Sequence, residues 1–217
     1  MTTNTIEIED IHLAKIAAFG AIGEIELLEE SLSHALDQGL TINQLQEVCI
    51  QLYAYAGFPR SLNCLSTLMK VIEGRKQSGR VDELGELPKT IPENNSKYVL
   101  GAKIQTAVVG VEVVPKPNTV FGFAPAIDVF LKEHLFADVF YRGVLNYQQR
   151  EIATIAALFA LGNVKEQLYS HFFAGLNVGL THDRLNNILA TLDSALHRSN
   201  AESGLTLFNE FLSKQKP

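Results

Sequence analysis

The sequence predicts an all-α fold made of two copies of one helical unit, and three observations support this prediction. The tripeptide Gly-Leu-Thr occurs at 39–41 and again at 179–181, 140 positions later. Apolar residues around both tripeptides are spaced by three and four, which is the period of an amphipathic helix. At 217 residues, with 47% hydrophobic and 19% charged side chains, the chain is long enough to bury a substantial core.

Each Gly-Leu-Thr predicts a tight turn between two helices. The glycine suits the left-handed residue that closes a helix, and the threonine suits the N-cap of the next, with Gln44 completing a capping box in the first copy. The apolar stripes on both sides of the turn coincide when the first copy is shifted by 140 residues. The matched residues are Leu28, Leu32, Ala35, Leu36, Leu45, Val48, Cys49, Leu52 and Ala56 with Leu168, Phe172, Gly175, Leu176, Leu185, Ile188, Leu189, Leu192 and Leu196.

A further match lies upstream of these helices. Residues 11–23 resemble residues 150–162 at an offset of 139, and the one-residue difference fits a loop near Gly23 and Gly162. Because spacing and chemistry agree at four places, we predict an internal duplication.

The segment between the copies has linker chemistry. Residues 78–96 contain glycines, prolines and an Asn-Asn pair, which are typical of turns. We therefore predict a first unit at 1–77, a linker at 78–96 and a second unit at 97–217. The valine-rich stretch 107–114 has strand propensity but no second strand nearby to pair with, so its conformation stays open.

Composition narrows the function classes. A formal net charge of -6 disfavours nucleic acid and anionic membranes as partners, and no apolar run approaches the roughly 20 residues of a membrane span. The residues after Met1 do not form a secretory signal, so we expect a cytoplasmic protein. Cys49 and Cys64 match neither a zinc knuckle nor a Cys-x-x-Cys pair, and we expect them to pack in the core.

Three segments resemble the carboxymuconolactone decarboxylase family. Its signature is similar to Arg-Glu-Ile-Ala-Thr-Ile-Ala-Ala-Leu-Phe-Ala-Leu-Gly at 150–162, Leu-Tyr-Ser-His at 168–171 and Gly-Leu-Asn-Val-Gly-Leu-Thr at 175–181. Tyr-Ala-Gly-Phe-Pro at 55–59 is similar to the family's closing motif. Residues 98–101 and 136–142 resemble the segment that precedes the signature in single-unit members.

This resemblance implies the helical fold of AhpD-type alkylhydroperoxidases. It also implies a homo-oligomer, for which we favour a trimer of two-unit chains over a dimer or a hexamer. The peroxidase branch carries a Cys-x-x-Cys motif before its histidine, where this chain has Val164 and Gln167. We do not expect thiol peroxidase activity, because that chemistry needs a reactive thiolate and a resolving cysteine.

His171 and Glu151 are the candidate catalytic residues. An imidazole on the apolar stripe can be tuned as an acid or base near neutral pH, and Glu151 stands where the peroxidase branch has a proton-relay carboxylate. The alternatives are a structural histidine and a glutamate stabilised by the helix dipole. The sequence does not rank Glu151, Glu166 and His134 against one another.

The candidate substrate-binding residues are Tyr55, Phe58, Arg60 and Arg150. In the family, the turn after Tyr55 lines the pocket, and Arg60 could clamp a carboxylate with its planar guanidinium. The alternative is a simple helix break at the intervening Gly-Phe-Pro. Arg150 would either hold an anion or be solvated.

The two copies have lost different parts of this set. Position 171 maps onto Ser31, and the turn at 55–59 maps onto 195–199, where the motif is missing. We therefore expect one composite site, with His171 facing the Tyr55 turn of the same chain or of an adjacent subunit.

The resemblance implies a decarboxylase, a carboxy-lyase, that acts on a small carboxylated lactone or related acid. No organic cofactor is implied, and no His/Cys/Asp/Glu cluster has metal-ligand spacing. Arg60 would hold the substrate, Phe58 would exclude water, and His171 would deliver a proton with help from Glu151. The alternative is a non-catalytic ligand-binding or assembly protein with the same fold.

Overall fold

A computed structural model describes residues 2–196 and 202–215, and the side chains from Ile8 onward. All regular structure in these ranges is helical, which confirms the predicted fold class. The α-helices are α1 (Thr2–Ile22), α2 (Ile25–Asp37), α3 (Ile42–Gln51), α4 (Tyr53–Gln77), α5 (Lys97–Val109), α6 (Val120–Phe123), α7 (Pro125–Val129), α8 (Tyr147–Leu161), α9 (Lys165–Asn177), α10 (His182–Ala195) and α11 (Gly204–Lys214). A π-helix, Phe130–Val139, and a 3-10 turn, Phe140–Arg142, precede α8. In the described ranges, every helix is too short or too polar to cross a bilayer.

The predicted turns have the expected backbone geometry. Gly39 and Gly179 have φ angles of 88° and 97°, in the left-handed region that glycine favours. Thr41 and Thr181 are the N-caps of α3 and α10, and Gln44 completes the capping box at Thr41. Helices α2 and α9 begin and end at positions 140 apart. The two predicted copies therefore agree in these turns and helix bounds.

Helices α1 and α8 form the centre of the molecule. They pack on each other more extensively than any other pair of elements, and Ala17, Ala18, Ala156 and Ala157 are fully buried on them. Small side chains let two helices approach closely. Helices α2 to α4 and α9 to α11 contribute to the same apolar cluster. The two predicted units therefore share one core.

The predicted linker has no helix between α4 and α5, yet it lies against the helices. The backbone N–H groups of Ile42 and Asn43 donate to the carbonyls of Glu83 and Leu84 at 2.9 and 3.0 Å. The first N–H groups of a helix have no partner within the helix, so the linker completes the start of α3.

The valine-rich stretch is part helix and part irregular chain. Helix α5 continues to Val109, and Gly110 then takes a left-handed conformation with φ 81°. Lys132 of the π-helix donates to the Val113 carbonyl at 3.0 Å and pairs with Asp128 at 2.8 Å. This buried side chain, not a neighbouring strand, holds the stretch in place.

Candidate active site

His171 and Glu151 form a close pair between α9 and α8. Nδ1 of His171 lies 2.7 Å from Oε2 of Glu151. Glu151 is fully buried, whereas 23% of the His171 side chain is exposed. An ionised carboxylate can only accept, so in this pairing Nδ1 carries the proton and Nε2 is left for a substrate. A carboxylate fixed behind an imidazole in this way orients the ring and stabilises its charged form.

Tyr55, which lies in the predicted first unit, contacts this pair. Its ring meets the His171 ring edge-on, with centroids 5.7 Å apart and planes at 80°. Burial raises the pKa of Tyr55 well above its usual value, and the Glu151 charge raises it further, although Thr154 opposes them. The phenol therefore stays protonated near neutral pH and acts as a donor. The predicted composite of His171 and Tyr55 is thus assembled within one chain.

Two buried polar atoms beside the histidine have no hydrogen-bond partner among the described residues. They are Oε1 of Glu151 and the Tyr55 hydroxyl. Thr154 is near enough to influence the Tyr55 hydroxyl, but its own hydroxyl accepts from Gln51 at 2.8 Å and its contact with Tyr55 lacks hydrogen-bond geometry. Buried polar atoms without partners are costly and concentrate at functional sites. One acceptor and one donor beside His171 are therefore left without a protein partner.

Arg150 lies beside this site but is fully enclosed. Its side chain has no exposed area, and it donates to Glu47 at 2.9 Å and to Gln51 at 3.0 Å. Gln51 in turn donates to the Arg150 carbonyl at 2.9 Å. Arg142 binds the other oxygen of Glu47 at 2.7 Å. This guanidinium joins α8 to α3 and is not presented to a substrate carboxylate, so the predicted solvated or anion-binding role does not fit its surroundings.

Phe58 and Arg60 contact residues other than the histidine. Phe58 is 64% exposed and stacks on Tyr53, with ring centroids 4.9 Å apart. The Arg60 guanidinium covers Gly23, where a Cβ atom would lie 1.6 Å from Nη1. No hydrogen bond or ion pair joins Arg60 to His171 among the described residues. Helix α4 breaks at Gly57, between Tyr55 and Phe58, with φ 81°, as the helix-break alternative predicts.

The structure also separates the carboxylates and histidines that the sequence could not rank. Glu166 is exposed on α9, so Glu151 is the partner of His171. His134 belongs to the π-helix and pairs with Asp138 at 3.1 Å. The positions that map onto the Tyr55 turn in the second copy include residues 197–199, which lie outside the described residues.

Sequence reasoning missed Glu47 and Gln51. They lie four residues apart on α3, each one position before an apolar residue of the stripe. That spacing was the available signal, because two polar residues four apart share a helix face. Their partner on α8 could not be identified without the packing of the two helices.

The comparison with protein families matches the second half of the chain. The model of the carboxymuconolactone decarboxylase family matches residues 125–210. This segment of the chain is similar to the carboxymuconolactone decarboxylase family. No match to the chain was found among curated proteins.

The carboxymuconolactone decarboxylase segment contains His171 and Glu151 but not Tyr55. The dyad therefore lies within the matched segment, and the tyrosine that meets it lies in the predicted first unit. Among the described residues, no group of three His, Cys, Asp or Glu side chains is arranged to hold a metal ion.

Proposed function

We propose that this chain is a carboxymuconolactone decarboxylase-like enzyme that uses acid–base chemistry without a cofactor. The proposed substrate is a small carboxylated lactone or a related acid. The observation that carries the proposal is the 2.7 Å contact between the His171 imidazole and the buried Glu151 carboxylate. Such a pair can hold a proton on one side of the imidazole and deliver another from Nε2.

In the proposed reaction, the bond between the substrate carbon and its carboxylate breaks, and carbon dioxide leaves. The electron pair moves into the conjugated carbonyl of the substrate, and His171 Nε2 then gives its proton to the carbon. Glu151 stabilises the imidazolium before this transfer. Tyr55 has a free buried hydroxyl beside the pair, and we assign it as the donor to the substrate oxygen on which charge develops.

The two arginines have no role in this proposal. Arg150 is enclosed by Glu47 and Gln51, and Arg60 covers Gly23. In this proposal the substrate is held chiefly by the Tyr55 hydroxyl and by Nε2 of the His171 ring.

The test is to measure carbon dioxide release from carboxylated lactones by four proteins. These are the wild type, His171→Ala, Tyr55→Phe and the control His134→Ala. His134 is a matched control because it also pairs with a carboxylate, that of Asp138, on the exposed side of the π-helix. We expect His171→Ala to lose about 10²-fold or more in kcat, Tyr55→Phe to lose a comparable factor, and His134→Ala to change little. Turnover that survives His171→Ala would contradict the assignment.

The second candidate is a non-catalytic assembly protein, and exposed apolar side chains favour it. Phe123 is 91% exposed, Val120 71% and Phe130 62%. Large exposed apolar groups indicate interaction surfaces. Such a surface also suits the homo-oligomer that we propose, with a trimer favoured. If the wild type forms a stable oligomer but no carboxylated lactone is turned over, this second function replaces the first.

A further inference from the structure

Cys49 of α3 and Cys64 of α4 bring their sulfur atoms together inside the core. Both side chains are fully buried, and the two Sγ atoms are 2.7 Å apart. Heavy atoms in van der Waals contact lie ~3.5–4 Å apart, and bonded sulfurs lie ~2.05 Å apart. The pair is therefore already closer than ordinary packing allows.

The predicted second copy has no cysteines at the positions that correspond to Cys49 and Cys64. The residues 140 positions after Cys49 and Cys64 are Leu189 and Gly204. They are also in contact, because a Cβ atom added to Gly204 would lie 2.9 Å from Cδ2 of Leu189. In the predicted second copy, a leucine side chain packed over a glycine fills the space that the two thiols occupy in the first. The fold therefore does not require two facing thiols at this position.

We propose that Cys49 and Cys64 are a disulfide-forming pair that hydrogen peroxide oxidises. In the first step, one thiolate attacks the peroxide, an S–O bond forms, the O–O bond breaks and hydroxide leaves. In the second step, the other thiolate attacks the sulfenic sulfur, the S–S bond forms and a second hydroxide leaves. The two hydroxides take up the two thiol protons, so one peroxide is reduced to two waters per disulfide.

Burial sets the rate of this oxidation. It raises the pKa of the Cys49 thiol, and the contact with Cys64 raises it further. Because the thiolate is the reactive form, the pair oxidises only when this part of the core opens. The bond would join α3, which carries Glu47 and Gln51, to α4, which carries Tyr55. It would therefore tie together the two first-copy helices that reach the candidate active site.

The test treats the full-length wild type with hydrogen peroxide and then alkylates it in denaturant. We expect a monomer whose mass is lower by two hydrogen atoms and which takes up no alkyl group. Trypsin can cut after Arg60, between the two cysteines. The digest should therefore contain two peptides joined by a bond that a reductant breaks.

Three variants serve as controls for this result. Cys49→Ser and Cys64→Ser should each lose the two-hydrogen change. The double variant Cys49→Leu with Cys64→Gly reproduces the packing of the second copy and should be inert to peroxide by mass. If the single variants do not fold, the peptide map of the wild type decides. Two alkylatable thiols after treatment, added oxygen without a linked peptide, or disulfides only between chains would each overturn the proposal.

Discussion

Replacing Glu47 by alanine removes the one carboxylate that is shared by two arginines next to the candidate active site. Arg150 and Arg142 bind its two oxygens at 2.9 and 2.7 Å. The Arg150 side chain is fully buried, and only 2% of the Glu47 side chain is exposed. Burial lowers the pKa of Arg150, and the ion pair with Glu47 counteracts this. In Glu47→Ala the Arg150 charge would stay in the core with only the Gln51 amide oxygen as an acceptor.

Breaking a buried ion pair by removing one partner costs about 3–5 kcal/mol, because the other charge remains desolvated. We expect this loss in the free energy of unfolding of Glu47→Ala. With a urea m-value of ~3 kcal/mol/M, the unfolding midpoint falls by about 1–1.7 M. The measurement is urea unfolding followed by far-UV circular dichroism, with all proteins at one concentration, because oligomer stability depends on concentration.

The matched control is Glu29→Ala. Glu29 also forms an ion pair, with Lys70 at 2.8 Å, but the two side chains are 40% and 71% exposed. Exposed pairs contribute about 0–1 kcal/mol, so the control should unfold close to the wild type. If Glu47→Ala lost no more stability than Glu29→Ala, the buried charges would not stabilise the packing of α3 on α8, and our account of Arg150 would be refuted.

Three further variants test the packing around two glycines and the half-buried His12 of α1. Gly101→Ala should destabilise the protein by about 1–3 kcal/mol, because its new Cβ would lie 1.7 Å from a backbone carbonyl oxygen of the π-helix. Gly74→Ala has no atom within 4 Å of its new Cβ and should stabilise the protein by about 0.5–1 kcal/mol; equal unfolding midpoints for the two variants would contradict this. Burial and the nearby charges of Lys15 and His34 lower the pKa of His12 in the folded protein. As the pH drops below about 6.5, the unfolded state therefore takes up a proton on His12 before the folded state does, and the free energy of unfolding falls. The slope of unfolding free energy against pH in that range should be shallower in His12→Gln than in the wild type, and an unchanged slope would rule out this origin.

The sequence predicted those features that depend on neighbouring residues. Gly39 and Thr41, and likewise Gly179 and Thr181, form the expected turns because a left-handed residue and a side-chain cap act within a few positions. The all-α class followed from the same short-range period. The resemblance to the carboxymuconolactone decarboxylase family was found from contiguous sequence motifs, and the family comparison confirmed it over residues 125–210.

The structure brings some of the predicted site residues together and separates others. The Tyr55 ring does meet the His171 ring, and Glu151 is the carboxylate beside it. Arg60 belongs to the same short motif as Tyr55, yet its guanidinium lies over Gly23. A helix break separates the two side chains, and the direction of each is decided by the helices that pack against it.

By itself, the sequence determined the helices and their turns, since each of these depends on interactions within one or two helical turns. Only the tertiary structure decided the surroundings of Arg150, whose partners Glu47 and Gln51 lie about a hundred residues away on another helix. The contact between Cys49 and Cys64 was also decided by the tertiary structure, because it depends on how α4 packs against α3 after the helix break at Gly57. A periodic pattern shows which face of a helix is buried, but the identity of the residue it meets depends on how the helices pack.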